Sequence, residues 1–248
     1  MAALLGAAAA AGWVDAVVGG GGLLMLPALL LAGVPTTTAL GTNKLTAITG
    51  TTTAAVTYLR RTRVDRRVAL PAAGLAVLGS AMGAVAARSV PSAAFRPVIL
   101  VVLVGVALFV AFRPRFGLME RPDRDTAGRR ALAVALAGLV VAAYDGMIGP
   151  GTGMFLILLF TGVLGTDFVR ASAAAKLVNV GTNLGALIVF ASQGEVRWLL
   201  GAGMAVCNMA GAIVGTRMAL RRGAGFVRMV LLVVVVALVA RLGYDLVW

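Results

Sequence analysis

Two stretches of the chain share one order of features, and this duplication constrains the fold more than any other property. Residues 15–44 run from an aspartate through a glycine-rich break and a short apolar segment to a lysine, and residues 145–176 repeat that order. Lys44 and Lys176 are the only lysines among 22 cationic residues. Two lysines at matched positions predict an internally duplicated chain.

Composition indicates a membrane protein. The chain is 60% apolar and only 12% charged, with a mean hydropathy of +1.00, whereas soluble domains carry about a quarter charged residues. Only helices and closed barrels satisfy their backbone in lipid. Barrel strands alternate in polarity, and the continuous apolar run at 232–240 does not. We therefore predict an all-α, polytopic protein of the cell (plasma or inner) membrane.

Each half is expected to contain one broken hairpin and about three full spans. Eleven residues of helix rise only about 16 Å, roughly half a bilayer, so the two short segments cannot span it. The predicted domains are a first transmembrane repeat at 1–112, a cytoplasmic linker at 113–130 and a second repeat at 131–248. The predicted helices are 1–18, 23–33, 37–59, 68–87 and 95–112, then 131–148, 154–164, 168–191, 198–220 and a last span to Trp248.

The distribution of arginine indicates how the halves are oriented. Loop 60–67 and linker 113–130 are the most basic segments, so both are expected in the cytoplasm. In the second half, the turn that matches 60–67 is the weakly charged 192–197, and the basic segment is 220–228 instead. This exchange favours inverted repeats, which place a substrate near the midplane between them. Parallel halves with eight simple spans remain the alternative.

The glycine breaks are candidate anion sites. Each precedes the start of a short helix, where free N–H groups and the positive end of the helix dipole favour negative charge. Glycines also serve close helix packing in membranes, and that alternative stays open.

The lysines and aspartates are the other candidates. A charge at bilayer depth is costly and is usually functional or paired, and lysine suits a small oxyanion. Lys44 and Lys176 are therefore predicted to contact substrate. Snorkelling, or an ion pair with Asp15 or Asp145, is the alternative. The aspartates are candidates for proton coupling, for pairing with the lysines or for capping helices.

Metal binding, cofactor binding and enzymatic catalysis are not expected. Histidine is absent and Cys207 is the only cysteine, so we expect no metal, no cofactor and no enzymatic activity. The arginines that give the chain its net charge of +13 cluster at the ends of apolar runs, and this distribution argues against binding to nucleic acid. The expected partners are a small anion and the lipid bilayer, and a homodimer is left open. The predicted substrate-binding residues are Gly20, Gly21, Gly22, Thr42, Asn43, Lys44, Gly149, Gly151, Thr152, Gly153, Lys176 and Asn179.

These residues carry a resemblance to a known family. The segment WVDAVVGGGGLLMLPALLLAGVP followed by ALGTNKL, with the weaker copy that ends in AAAKLVN, resembles the TauE/SafE family of sulfite exporter-like permeases. The resemblance covers nearly the whole chain. It implies a transporter of small sulfur-containing anions such as sulfite or organosulfonates. The second copy departs from the pattern at Pro150 and Thr152, which implies an asymmetric site.

The expected function is therefore a transporter that exports such an anion. Moving one negative charge out of a cell is favoured by roughly 2.3 kcal/mol per 100 mV, so export needs no coupling ion. The alternatives are a proton-coupled uptake permease for another small organic anion, or a membrane assembly subunit that transports nothing.

Overall fold

The computed structural model describes residues 1–89, 112 and 116–247, and the regular structure in this part of the chain is all helical. The all-α prediction is confirmed there. The helices are α1 (Ala2–Val18), α2 (Gly21–Leu31), α3 (Thr36–Arg61), α4 (Arg66–Ala86), α5 (Ala127–Met147), α6 (Thr152–Leu164), α7 (Phe168–Ser192) and α8 (Trp198–Val247). Helix α5 contains a π-helical segment at Leu136–Val141, and α8 is kinked at Gly223.

The helix lengths suit a membrane. Helices α4, α5 and α7 are each long and apolar enough to cross a bilayer, while α2 and α6, with 11 and 13 residues, are as short as predicted. Helix α5 begins inside the predicted linker 113–130, because the Thr126 hydroxyl caps it by accepting a hydrogen bond from the Arg129 N–H at 3.4 Å. The predicted span at 95–112 lies outside the described residues, apart from Phe112.

Charged residues distinguish the two ends of the molecule. Helices α3 and α8 run parallel, since the Thr46 hydroxyl donates to the Gly201 carbonyl and the Thr49 hydroxyl donates to the Ala205 carbonyl. We call the end where α3 finishes the arginine end. At the opposite end, which we call the glutamate end, the Thr38 hydroxyl donates to the Glu195 carboxylate at 2.5 Å.

The described part of the linker, residues 116–130, lies at the arginine end. The Arg130 guanidinium is 3.6 Å from the carboxylate of Asp65, which precedes α4, and 2.6 Å from the carboxylate of Asp125. Arg170, at the start of α7, lies 2.6 Å from the carboxylate of Glu120 in the linker. The Asp167 carboxylate caps α7 by accepting from the N–H groups of Val169 and Arg170. Helix α7 therefore starts at the end where α3 finishes, and the two helices are antiparallel.

Two helical hairpins enter from opposite ends and meet inside the molecule. In the first, α1 runs inward and α2 returns to the glutamate end, where Val34 packs in one apolar cluster with Val196. In the second, α6 returns to the arginine end, where the Arg121 N–H donates to the Gly165 carbonyl at 2.8 Å. Their tips touch at Gly19 and Gly153, whose backbones leave no space for a Cβ on either residue.

Glycines also bring the long helices together. Gly79 and Gly83 of α4 lie against the backbone of α5, and Gly211 and Gly215 of α8 lie against the backbone of α1. A Cβ at any of the four positions would collide with a carbonyl oxygen of the facing helix. These four glycines therefore allow close approach of helix backbones, a common role of glycine in membrane helices.

Candidate functional site

The first lysine forms a buried ion pair with the aspartate of the other half. Lys44 on α3 places its Nζ 2.6 Å from a carboxylate oxygen of Asp145 on α5. The two side chains are 2% and 7% exposed. The second carboxylate oxygen of Asp145 accepts a hydrogen bond from the Thr152 hydroxyl at 2.7 Å. The carboxylate therefore joins the lysine to the first turn of α6, so this pair fastens the tip of the second hairpin to α3.

The second lysine forms the reciprocal pair. Lys176 on α7 places its Nζ 2.9 Å from the Asp15 carboxylate near the end of α1. The lysine side chain is fully buried, and the Asp15 side chain is 17% exposed. The Thr51 hydroxyl donates to the same carboxylate at 3.3 Å. Each pair joins the first half of the chain to the second. The structure therefore contains the ion pair that was one of the two alternatives for each lysine.

Both aspartates border one small cavity at the hairpin tips. Its volume is about 30 Å³, which is enough for one or two water molecules. Its lining is polar for a site so deep in an apolar protein. The cavity is lined by Asp15, Gly19, Gly22, Asn43, Lys44, Ala47, Asp145, Gly149, Thr152, Gly153, Asn179 and Asn183.

The starts of the two short helices converge on this cavity. Gly22 in the first turn of α2 and Thr152 and Gly153 in the first turn of α6 all line it. The breaks are shorter than the sequence predicts, because α2 begins at Gly21 and α6 begins at Thr152. Each break turns through a left-handed glycine, with φ of 77° at Gly19 and 87° at Gly151. Two positive helix ends therefore meet beside two ion pairs.

Three asparagines complete the polar wall. Asn179 is 5% exposed, and its side-chain oxygen has no hydrogen-bond partner. Asn183, one turn further along α7, donates weakly to the Thr51 hydroxyl at 3.4 Å. Asn43 precedes Lys44 on α3 and faces the same cavity. An unpartnered amide oxygen at this depth is costly, so Asn179 can still accept a hydrogen bond from a water molecule or from a ligand that carries a donor.

Several residues predicted from the sequence lie outside the cavity wall. Gly20 packs against Met154, and Gly21 packs against the Asp15 side chain. The Thr42 hydroxyl instead accepts from the Arg197 N–H at 3.1 Å. Gly151 forms the left-handed turn before α6, and Lys176 reaches the cavity only through Asp15.

Three lining residues were not among those predicted from the sequence, namely Gly19, Ala47 and Asn183. Asn183 lies seven residues after Lys176 and Ala47 lies three after Lys44, so helical spacing from the lysines is the signal that identifies both. For Gly19, the only feature of the sequence that pointed to the cavity was its place in the run of four glycines at 19–22.

Comparisons with known proteins agree with this architecture. Residues 4–242 match the family described as Sulfite exporter TauE/SafE. The chain is 36% identical over 245 residues to "Probable membrane transporter protein ORF9" of Sinorhizobium sp, covering 99% of this chain and 93% of that protein. It is 32% identical to "Probable membrane transporter protein" of Haemophilus influenzae, covering 96% of this chain and 92% of that one.

A third relative is "Probable membrane transporter protein YfcA" of Escherichia coli strain K12, at 34% identity over 95% of this chain and 86% of that protein. No solved structure matches the chain at a significant level. The family match and these three relatives all span nearly the whole sequence. The chain therefore belongs to the TauE/SafE family of membrane transporters.

Proposed function

We propose that this protein is a multi-pass transporter of the cell membrane that carries a small sulfur-containing anion through the cavity between the crossed ion pairs. The observation that carries the proposal is the meeting of Lys44, Asp15, Asp145 and Asn179 at one buried cavity. Buried charges and an unpartnered amide are expensive in a membrane, and a scaffold has no need of them. The proposed substrates are sulfite, which the family description names, or simple organosulfonates.

The two halves are proposed to be inverted repeats that share this cavity. Three observations support a two-fold relationship. The lysine of each half pairs with the aspartate of the other. Helices α3 and α7 are antiparallel. Glycines spaced 132 residues apart make equivalent contacts, because Gly83 packs on the Ala143 carbonyl as Gly215 packs on the Trp13 carbonyl.

Transport requires the cavity to widen. At about 30 Å³ it is too small for a sulfonate, so a cavity of this size corresponds to a state without substrate. The hairpin tips touch through glycine backbone at Gly19 and Gly153, with no side chains between them. Rocking of one half against the other would separate the tips and expose the cavity to one side at a time.

The ion pairs also favour a second candidate, proton-coupled uptake. Each lysine already has a carboxylate partner, so an added anion leaves the site with an extra buried negative charge. That charge is costly at low dielectric. A proton on Asp15 or Asp145 removes it, because the neutral carboxyl then yields its lysine to the substrate. For export, the membrane potential supplies the driving force, so a proton would only lower the cost of binding and need not drive transport.

A flux assay in liposomes tests both candidates. Purified protein is reconstituted, loaded with sulfite or a simple organosulfonate, and followed with and without a pH gradient at fixed membrane potential. Export without coupling predicts flux that follows the potential and ignores the gradient, whereas proton coupling predicts accumulation driven by the gradient. Absence of flux for every small anion tried would contradict the proposal.

Matched variants connect that flux to the cavity. Lys44→Gln should reduce flux by at least about tenfold, the loss expected from removing one charge-assisted contact. Lys176→Gln should also reduce flux, because it leaves the Asp15 carboxylate at the cavity without its counter-charge. Arg63→Gln removes one exposed charge outside the cavity and should transport as the unchanged protein does. Normal flux in both lysine variants would remove the lysines from the mechanism.

A further inference from the structure

A large groove lies between α3 and α8 at the arginine end, away from the central cavity. Its volume is about 880 Å³, and it is open to the outside. Because the two helices run parallel, the arginines near the end of α3 and those before the kink in α8 reach the same end of the groove. These are Arg60 and Arg61 on one wall and Arg217 and Arg221 on the other.

Within the described residues, none of these four arginines forms an ion pair with a carboxylate. Other arginines at this end do have acidic partners, since Arg130 pairs with Asp125 and Arg170 pairs with Glu120. Four unpaired guanidinium groups around one groove repel each other. An anion between them would relieve that repulsion and accept bidentate hydrogen bonds, which phosphate oxygens accommodate well.

The rest of the groove is suited to a hydrocarbon chain. Val56, Ile213 and Leu220 line it, and Val56 is 42% exposed. Val56 and Ile213 lie one to two helical turns farther into the membrane than the terminal arginines, Arg61 and Arg221. The hydroxyls of Thr53 and Thr57 donate at 2.8 Å to carbonyl oxygens of their own helix, so these two add little polar surface. Thr52 also lines the groove and is exposed, so it contributes one polar group to this wall. A free inorganic anion would make no favourable contact with these apolar side chains, whereas an acyl chain would pack against them.

We propose that this groove binds an anionic phospholipid, with its phosphate between the two pairs of arginines and an acyl chain along Val56 and Ile213. Basic pockets between membrane helices on the cytoplasmic side are suited to such headgroups. The bound lipid would join α3, which carries Lys44, to α8. The proposal requires only that the protein lies in a membrane and does not depend on what the central cavity transports.

Lipid binding is measured on the delipidated full chain in a non-ionic detergent, by native mass spectrometry and by the shift in melting temperature. Phosphatidylglycerol should remain bound and raise the melting temperature more than phosphatidylcholine does. The double variant Arg217→Gln/Arg221→Gln should weaken phosphatidylglycerol binding about 30-fold, because it removes two arginine contacts to the anionic headgroup. Arg60→Gln/Arg61→Gln removes the charges of the opposite wall and should weaken it similarly.

The matched control is Arg66→Gln/Arg67→Gln, which removes two exposed charges at the same end but outside the groove. It should bind phosphatidylglycerol like the unchanged protein, and millimolar inorganic phosphate should not displace the lipid. The proposal is overturned if the two lipids bind equally, if the control loses as much affinity as the groove variants, or if inorganic phosphate displaces the lipid completely. If Arg217→Gln/Arg221→Gln does not fold, the variant of the opposite wall decides between these outcomes.

Discussion

The ammonium group of Lys44 lies 2.6 Å from a carboxylate oxygen of Asp145, across 101 residues of sequence. A second pair, Lys176 with Asp15, joins residues that are 161 positions apart and also links the lysine of one half to the aspartate of the other. Breaking a buried pair by removing one partner costs about 3–5 kcal/mol, because the other charge is left uncompensated. Removing both partners together costs much less, and this asymmetry provides a test of which residues pair.

We expect Lys44→Gln alone to lower the free energy of unfolding by about 3–5 kcal/mol. Adding Asp145→Asn should restore most of that loss, because no buried charge then remains unpaired. Adding Asp15→Asn instead should not restore it, since Asp15 belongs to Lys176. The measurement is a double-mutant cycle on melting temperature in detergent. Equal rescue by both aspartate variants would contradict the crossed pairing.

Gly19→Ala should destabilise the protein by at least about 2 kcal/mol. The residue has φ of 77°, which costs an L side chain roughly 1–2 kcal/mol, and its new Cβ would collide with the Gly153 backbone. The control is Gly74→Ala in the interior of α4, where no atom lies within 4 Å of the added Cβ. That change should be neutral or slightly stabilising. Similar melting temperatures for the two variants would be inconsistent with tight contact between the hairpin tips.

Asn179→Ala should impair transport while leaving stability almost unchanged. The side-chain oxygen of Asn179 has no hydrogen-bond partner, so its removal costs less than about 1 kcal/mol. Loss of the amide N–H group, which would donate to the anionic substrate, should raise KM about tenfold. Asn208→Ala is the matched control. Its amide donates to the Ala8 carbonyl at 3.0 Å, so stability should fall by about 1–3 kcal/mol with KM unaltered. The reverse pattern would place substrate away from Asn179.

The two ends of the molecule should face opposite sides of the membrane. In a Cys207→Ser background, Arg63→Cys reports on the arginine end and Ser192→Cys on the glutamate end, and both positions are exposed. An impermeant thiol reagent applied from outside intact cells should label position 192 and not position 63, because basic segments remain in the cytoplasm. Labelling of both positions, or of position 63 alone, would contradict this topology.

Much of the helical framework could be predicted from the sequence, because it depends on local patterns. Apolar runs bounded by arginine predicted α4 and α7 to within a few residues, and the glycine breaks predicted two short helices. The start of α5 was misplaced because a hydroxyl cap at Thr126 acts within a segment of otherwise linker-like composition. Caps of this kind depend on one side chain and leave little trace in hydropathy.

The candidate site was predictable only in its composition. Matched positions identified Asp15, Lys44, Asp145 and Lys176, yet their pairing depends on how the halves pack, which no spacing within one half reveals. The role of Gly19 was likewise unpredictable, since its contact with Gly153 joins residues far apart in sequence. Gly20 and Gly21 had the same local pattern but lie outside the cavity wall.

The crossed pairs also impose an order on how the chain is made. Residues 15 and 44 are synthesised before residues 145 and 176. Until the second half has been made, neither Asp15 nor Lys44 has the partner that it has in the finished protein. A chain that stops at the linker contains one aspartate and one lysine of the four and can form neither of the crossed pairs.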